Sequence, residues 1–304
     1  MVSYGINCGL ILIFSSQSMK LTSLTRSVFL FILFILISIM LSMALLVTNE
    51  PRILTDLDTP SFDTRCVLGV ENTGAYLDNK GLLSVSTWNI YKQKKDNWDK
   101  QLARLNQGSQ LVLLQEAGLS PELSQYIRDT GLKVSMAKAF TLWNTAYGVM
   151  NLARIQAKSA CAFTETEPLI RFAKSGIVAH YPLSTGEDLL VVNLHGINFE
   201  WDLTHFSKQF EAIALELDKH HGPIILAGDL NTWRAERLNF VAALASKHHL
   251  SEISYRVDKR RRVFGLPLDH LYYRGLTFQS AESLATDSSD HNPITAHFMV
   301  KELP

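Results

Sequence analysis

The feature that most limits the fold of this chain is a series of short apolar runs, each with a polar side chain at one end. Such runs are typical of buried strands that deliver one polar group to the edge of a sheet. Six strand ends of this kind occur between residues 82 and 300, and they carry Asn89, Glu116, His195, Asp229 with Asn231, Asp269, and Asp290 with His291. An oxygen-rich set of this composition suits Mg²⁺, Mn²⁺ or Ca²⁺ better than zinc.

Helical patterns alternate with these strands. Apolar residues at helical spacing and helix-start signals mark the helices. The predicted helices contain Trp98 to Leu105, begin after Ser120 at Pro121, and cover residues 203–220 and about 234–247. Mixed strands and helices over about 220 residues predict a single α/β domain, in which two packed sheets have helices outside them.

The amino-terminal region contains a strongly apolar segment, Val28 to Val47, which has 20 residues and no charge. A stretch of about 20 apolar residues can span a bilayer. Lys20 and Arg26 precede it, which predicts a cytoplasmic amino end and an exported body. The alternatives are a buried core helix and a cleaved signal peptide; Met19 is an alternative start.

The predicted organisation therefore has four segments. Residues 1–27 form a cytoplasmic segment, 28–47 a transmembrane helix, 48–81 an irregular linker and domain entry, and 82–304 the folded domain. We expect a single-pass protein of a bacterial inner membrane, with the domain in the periplasm or outside the cell. A cytoplasmic location and export after signal-peptide cleavage are the alternatives.

Two cysteines, Cys66 and Cys161, fall on the predicted exported side, where a disulfide can persist. The sequence alone does not show whether they meet. A disulfide and two independent thiols are both open at this point.

The charge balance limits the kind of partner. The chain has 29 basic and 29 acidic residues, so its formal net charge is zero. Strong non-specific DNA binders are usually basic, so neutrality disfavours tight nucleic-acid binding while allowing a weakly bound nucleic-acid substrate. One local basic run, Lys259 to Arg262, precedes the Asp269 strand and is a candidate phosphate contact, with a solvated loop as the alternative.

Taken in order, these motifs resemble the endonuclease/exonuclease/phosphatase superfamily, the DNase I-like metal-dependent phosphoesterases. The resemblance covers about Leu82 to Val300, and its details are similar to the bacterial YafD-like branch. The motifs that carry it are Trp88-Asn89, Gln115-Glu116, Asn193-Leu194-His195 with Asn198, Gly228-Asp229-Leu230-Asn231, Leu268-Asp269-His270 and Ser289-Asp290-His291-Asn292-Pro293. It implies a four-layer α/β sandwich, with the site at one end of the paired sheets.

The resemblance also implies a metal site. Glu116 is the principal ligand, with Asn89 and Asp290 close to the ion, which would be Mg²⁺ or Mn²⁺. Some family members have an acid two residues after the first asparagine. Here that position holds Tyr91, which argues against a second metal.

The remaining family roles fall on matching residues that act on substrate. Asp229 and Asn231 would activate the attacking water and orient the phosphate. His291 would contact the phosphate or the water, and Asp269 would pair with its imidazole. The other implied contacts are His195, as general acid or phosphate ligand, and Asn198. We add Arg261, from the basic run, as a substrate contact.

The function that these expectations describe is phosphoester hydrolysis with a divalent metal. The leading hypothesis is a phosphodiesterase that acts on nucleic acid or on a phospholipid head group. The alternatives are a phosphomonoesterase for a soluble phosphate and a non-catalytic binding protein with the same fold. The membrane is the other expected partner, through the amino-terminal helix, and no obligate protein partner is evident.

Overall fold

The computed structural model describes residues 25–38, 50–69 and 74–300. The chain divides into two compact units, Met1–Val47 and Thr48–Pro304. The described part of the first unit is a helix. The α-helices of the described residues are α1 (residues 25–38), α2 (Trp98–Gly108), α3 (Pro121–Thr130), α4 (Thr204–Lys219) and α5 (Ala235–Lys247).

All strands of the described residues belong to the second unit. In chain order they are β1 (Arg52–Leu54), β2 (Cys66–Leu68), β3 (Leu82–Asn89), β4 (Leu111–Gly118), β5 (Lys133–Leu142), β6 (Thr145–Ala153), β7 (Ser159–Thr166), β8 (Ala173–Pro182), β9 (Asp188–His195), β10 (Ile224–Asp229), β11 (Ser251–Glu252), β12 (Val257–Asp258), β13 (Arg262–Val263), β14 (Leu266–Pro267), β15 (Asp269–Arg274), β16 (Leu276–Ser283) and β17 (Ile294–Val300).

These strands form two large sheets and a small hairpin. The first sheet has the order β1-β5-β6-β4-β3-β17-β16-β12, and the second has the order β11-β15-β10-β9-β8-β7-β2. The pairs β3–β4 and β9–β10 are parallel, whereas most other pairs are antiparallel, so both sheets are mixed. Strands β13 and β14 pair only with each other.

Three buried apolar clusters define the layers of the second unit. The cluster between the sheets joins residues such as Val85 of the first sheet to Val191 and Ile225 of the second. A second cluster packs α4 and α5 on the outer face of the second sheet, and a third packs α2 and α3 on the outer face of the first. The order of helices, sheet, sheet and helices is that of an α/β sandwich, as the sequence predicts.

The predicted helix boundaries are accurate where local signals are strong. The Ser120 side chain accepts a hydrogen bond from the backbone N–H of Leu123, and Pro121 occupies the first turn of α3. Gly131 ends this helix in the left-handed conformation, at a φ of 67°.

The segment predicted to be irregular contains two strands, so that part of the prediction is wrong. Strand β1 pairs with β5, and β2 pairs with β7. Each is only three residues long, too short to show an alternating pattern. Cys66 of β2 lies opposite Cys161 of β7, and the two form a disulfide that links the edge strand to the sheet.

The predicted membrane span, Val28 to Val47, lies only partly within the described residues. Residues 28–38 belong to α1, and residues 39–47 lie outside the described part. Among the described residues, no helix has both the length and the apolar character needed to cross a membrane.

Candidate active site

A cavity of about 550 Å³ contains nearly all of the predicted site residues. Only Asp269 does not line it; this side chain hydrogen-bonds His291 from behind. The predicted residues that line the cavity are Asn89, Glu116, His195, Asn198, Asp229, Asn231, Arg261, Asp290 and His291. The structure therefore brings together side chains from both sheets, as expected for strand ends that meet at one edge.

The pairing of β9, β10 and β15 sets three of these side chains side by side. Asp229 ends β10, and its register partners are His195 on β9 and Asp269 on β15. His195 Nε2 lies 3.4 Å from Asp229 Oδ2. Three residues that are far apart in sequence thus become neighbours through strand register alone.

Gly228 allows β10 to approach β9 closely just before Asp229. Its φ is 142°, and a Cβ atom at this position would lie 2.0 Å from the carbonyl oxygen of Leu194. No side chain fits at that distance, so glycine at position 228 is a steric requirement for this approach of the two strands.

Two site residues adopt left-handed backbone conformations that are uncommon outside glycine. Glu116 has a φ of 54°, and Asn231 has a φ of 52°. The pairing of β4 with β6 is interrupted between Leu114 and Ala117, so Glu116 sits in an irregularity of the strand. Bulges re-aim side chains, which explains how Glu116 enters the cavity at the end of a buried strand.

His291 and Asp269 form a buried hydrogen-bonded pair. His291 Nδ1 lies 2.8 Å and 3.1 Å from the two carboxylate oxygens of Asp269. Burial works to lower the pKa of His291, but the carboxylates of Asp269 and Asp229 outweigh it and raise that pKa to about 10. The ring is therefore an imidazolium at neutral pH, and Nε2, 3.9 Å from Asp229 Oδ2, carries a proton.

Asp229 is the most deeply placed acid of the cavity. Asn89 Nδ2 donates a 2.9 Å hydrogen bond to its Oδ2. Burial raises the pKa of Asp229 to about 6, although the nearby charge of His291 works against the increase. Asp229 is thus ionised at neutral pH and has the basicity of a useful proton acceptor.

Lys174 is a site residue that the sequence reasoning missed. Its Nζ lies 2.7 Å from His195 Nε2 and also lines the cavity. Burial, reinforced by Lys174 and Lys92, lowers the pKa of His195 well below its ordinary value, so the ring is neutral. Burial also lowers the pKa of Lys174, and the carboxylates of Glu116 and Asp229 work against that decrease. This geometry favours His195 as a phosphate neighbour over His195 as a general acid. The available signal was a single lysine within the otherwise uncharged strand β8.

Lys92 is a second missed residue, and it forms an ion pair with Glu116. Burial works to raise the pKa of Glu116, but Lys92 and Lys174 hold that pKa below its usual range. The second Glu116 oxygen lies 4.0 Å from His195 Nε2. The Glu116 carboxylate is therefore ionised, and in this structure its cationic partner is Lys92.

The donor set fits a divalent ion that prefers oxygen. Glu116 and Asp290 offer carboxylate oxygens and Asn89 offers an amide oxygen to the same cavity. A second set of possible metal ligands has its ligand atoms within 4.8 Å of one another; it consists of Asp229, Asp269 and His291. Asp269 and His291 of this second group hydrogen-bond each other, whereas Glu116 of the first set pairs with Lys92.

The loop that carries Asn198 is held by a buried charge, and Arg261 stands beside a paired arginine. The backbone N–H groups of Asn198 and Phe199 donate to the buried carboxylate of Glu167, at 2.6 Å and 2.9 Å. Within the basic run, Arg260 pairs with Asp258 and Glu252, which leaves Arg261 lining the cavity.

The fold and the site define an α/β sandwich protein whose cavity gathers acidic, amide and imidazole side chains. The model of the Endonuclease/Exonuclease/phosphatase family matches residues 86–291, and the chain belongs to this family. The resemblance that the motifs indicate is thus confirmed.

Relatives and solved structures agree with this assignment. A UPF0294 protein of Vibrio vulnificus (strain YJ016) is 40% identical over 253 residues, which cover 83% of this chain and 89% of the relative. A UPF0294 protein of Yersinia pestis is 41% identical over 225 residues, 74% of this chain and 86% of that protein.

The solved structures are similar in fold. The endonuclease/exonuclease/phosphatase protein of Beutenbergia cavernae has a TM-score of 0.56 at 16% identity, covering 72% of each chain. ANGEL2, described as a 2',3'-cyclic phosphatase, has a TM-score of 0.60 at 14% identity, covering 75% of this chain and 97% of its own.

Proposed function

We propose that this protein is a divalent-metal-dependent phosphodiesterase. The observation that carries the proposal is the convergence, in one cavity, of an oxygen-rich ligand set with a buried acid of raised pKa and an imidazolium. Phosphoester hydrolysis needs charge neutralisation at the phosphate and a positioned proton acceptor, and this cavity offers both.

In this mechanism Asp229 accepts a proton from the attacking water. Two hydrogen bonds hold the Asp229 carboxylate in place. The backbone N–H of Asn231 donates to Oδ1 at 3.2 Å, and the side-chain amide of Asn89 donates to Oδ2. The water oxygen forms a bond to phosphorus as the bond to the leaving oxygen breaks, and the leaving oxygen takes a proton from solvent water to depart as an alcohol.

The cations of the cavity stabilise the charge that develops on the phosphate. His291 donates from Nε2 to a phosphate oxygen, and Asp269 keeps the ring charged and oriented. Lys174 and Arg261 add positive charge on other sides of the cavity. A divalent ion held by Glu116, Asn89 and Asp290 would polarise the phosphoryl group and neutralise part of its charge.

We further propose that residues 28–47 anchor the chain in a membrane with the enzyme domain on the exported side. The length and charge flanks of the segment support the anchor. The Cys66–Cys161 disulfide is consistent with an oxidising compartment. A reporter enzyme fused after Pro304 tests the topology, since activity of a cytoplasm-only reporter would contradict it.

The activity is tested with bis(p-nitrophenyl) phosphate as a generic diester and p-nitrophenyl phosphate as the matched monoester. We expect Mg²⁺- or Mn²⁺-dependent turnover of the diester, abolished by EDTA and strongly reduced in Glu116→Ala and His291→Ala. Glu165→Gln, which alters the Glu165–His205 pair outside the cavity, is the control and should retain activity. Preference for the monoester would favour a phosphomonoesterase, and binding without turnover of either substrate would favour a binding protein.

A further inference from the structure

The mouth of the cavity is surrounded by exposed apolar side chains at the tips of four loops. We call this set, Leu142, Trp143, Leu169, Ile170, Trp201 and Phe264, the apolar rim. Trp143, Leu169, Trp201 and Phe264 are between 75% and 89% exposed. Large apolar side chains that protrude together around a functional site indicate an interaction surface.

The four loops are part of the cavity. Leu142 and Ile170 line it directly, and Val263, the residue before Phe264, does so as well. Trp201 is linked to Phe264 through Trp233, whose ring centroid lies 6.1 Å from that of Trp201 and 6.4 Å from that of Phe264. Phe140 of β5 stacks on Tyr147 of β6 and contacts Phe172, and all three line the same cavity. The apolar rim therefore belongs to the opening of the cavity that holds Glu116 and His291.

Basic side chains are interleaved with the apolar rim. Lys94 and Arg261 line the same cavity, and the exposed Arg171 follows Ile170. The Arg234 guanidinium lies 4.5 Å from the Trp201 ring centroid. Of the acidic residues in the four loop tips, Glu167 and Glu200 are buried, which leaves Asp202 exposed. The mouth thus presents apolar and cationic groups together.

We propose that the apolar rim inserts into the surface of an anionic phospholipid bilayer, and that the substrate is a phospholipid whose phosphodiester enters the cavity from that surface. The inference rests on the proposed function. Interfacial binding combines apolar side chains that enter the acyl region with basic groups that contact anionic head groups. Tryptophan is well suited to this boundary because its ring is apolar and its N–H is polar.

The composition of the rim favours lipid over single-stranded nucleic acid. Sites for single strands stack bases on aromatic rings along a strongly basic groove. Leu142, Leu169 and Ile170 have no aromatic face for stacking, and the chain has no net charge.

The first test measures insertion without requiring catalysis. The full chain is reconstituted into vesicles of phosphatidylcholine and phosphatidylglycerol with brominated acyl chains, which quench nearby tryptophan. Residues 28–47 contain no tryptophan, so the anchor contributes no signal. We expect stronger quenching in wild type than in Trp143→Phe. Equal fractional quenching in the two proteins would overturn insertion of this loop.

The second test compares interfacial with soluble substrate. In the variant Trp143→Ser/Leu169→Ser/Phe264→Ser, hydrolysis of phospholipid in the same vesicles should fall roughly tenfold or more, while bis(p-nitrophenyl) phosphate is turned over as in wild type. The control Leu215→Ser/Leu284→Ser/Met299→Ser removes exposed apolar side chains remote from the rim and should match wild type on both substrates.

The outcomes separate the two proposals. Failure of wild type to hydrolyse the soluble diester would refute the proposed function, while the quenching result would still decide insertion. If the rim variant lost equal activity on vesicle phospholipid and on bis(p-nitrophenyl) phosphate, an interfacial role of the apolar rim would be refuted. Efficient hydrolysis of single-stranded DNA that the rim variant loses, with vesicle phospholipid left intact, would assign the rim to nucleic acid.

Discussion

Replacement of Asp269 by asparagine is expected to inactivate the site while preserving its shape. Asparagine has nearly the same volume as aspartate and keeps one acceptor for His291 Nδ1, but it removes the negative charge 2.8 Å from the ring. The charge of Asp269 is a main reason why the pKa of His291 is raised to about 10. Without it, that pKa should fall toward the ordinary value of about 6.5, and the ring becomes largely neutral at pH 7.5.

The magnitude follows from the contacts. His291 stabilises charge on the phosphate, and removal of one such positioned donor lowers a rate by about 10²–10³-fold, so kcat on bis(p-nitrophenyl) phosphate should fall by a factor in that range. A hydrogen bond to a charged group contributes about 1.5–3 kcal/mol, which sets the expected loss in the free energy of unfolding.

The direction in which folding shifts the pKa of His291 determines how the free energy of unfolding depends on pH. The folded pKa of His291 lies above its unfolded value, so the contribution of this group to stability is full below about pH 6.5 and disappears as pH rises through about 10. The stability difference between wild type and Asp269→Asn, measured by urea unfolding, should therefore shrink over that interval.

The assay combines kcat, urea unfolding and an NMR titration of the His291 ring. Glu165→Gln is a matched control, because Glu165 accepts from His205 Nδ1 at 2.7 Å outside the cavity. The control should lose stability without losing kcat per folded molecule. A His291 pKa that is the same in wild type and Asp269→Asn would refute the reasoning, as would an unchanged kcat.

Three further predictions concern other parts of the site and fold. Because the pKa of Asp229 is raised to about 6, kcat/KM should fall as pH decreases through about 6, where the carboxylate becomes protonated; a flat profile from pH 5 to 8 would argue against this base. Gly228→Ala should destabilise the protein by about 3 kcal/mol or more in urea unfolding, since the added Cβ meets the Leu194 carbonyl; a change below about 1 kcal/mol would contradict the packing. Opening the Cys66–Cys161 disulfide by Cys66→Ser should cost about 2–4 kcal/mol, because the bridge joins residues 95 apart in sequence, and a thermal melt unchanged by the substitution would contradict this.

The sequence predicts which side chains share the cavity where the informative residue ends an apolar strand. Asp229 and His195 follow apolar runs, and strand register then makes them neighbours. Lys174 and Lys92 have no comparable local signal. Lys174 reaches His195 only because β8 pairs with β9, and Lys92 reaches Glu116 across 24 residues through the folding of two strands. Their roles depend on three-dimensional contacts that spacing does not encode.

The edge strands β1 and β2 also depend on three-dimensional contacts that the local sequence does not encode. Three residues of β1 and three of β2 become strands because neighbouring strands offer free backbone groups, and an intrinsic pattern is not needed. The buried contacts between the sheets are also non-local. Gln115 Nε2 donates to Asn193 Oδ1 at 2.7 Å, a hydrogen bond that joins the two sheets beside the site.

The central claim is that Glu116 holds a divalent ion needed for phosphodiester hydrolysis. The most direct measurement is the rate of bis(p-nitrophenyl) phosphate hydrolysis by metal-stripped full chain as Mg²⁺ is added back, with Glu116→Gln measured in parallel. We predict no activity in the stripped wild type, saturable recovery with Mg²⁺, and a Mg²⁺ requirement raised roughly 10- to 100-fold in Glu116→Gln. Undiminished activity after stripping, or the same Mg²⁺ curve for both proteins, would contradict the account.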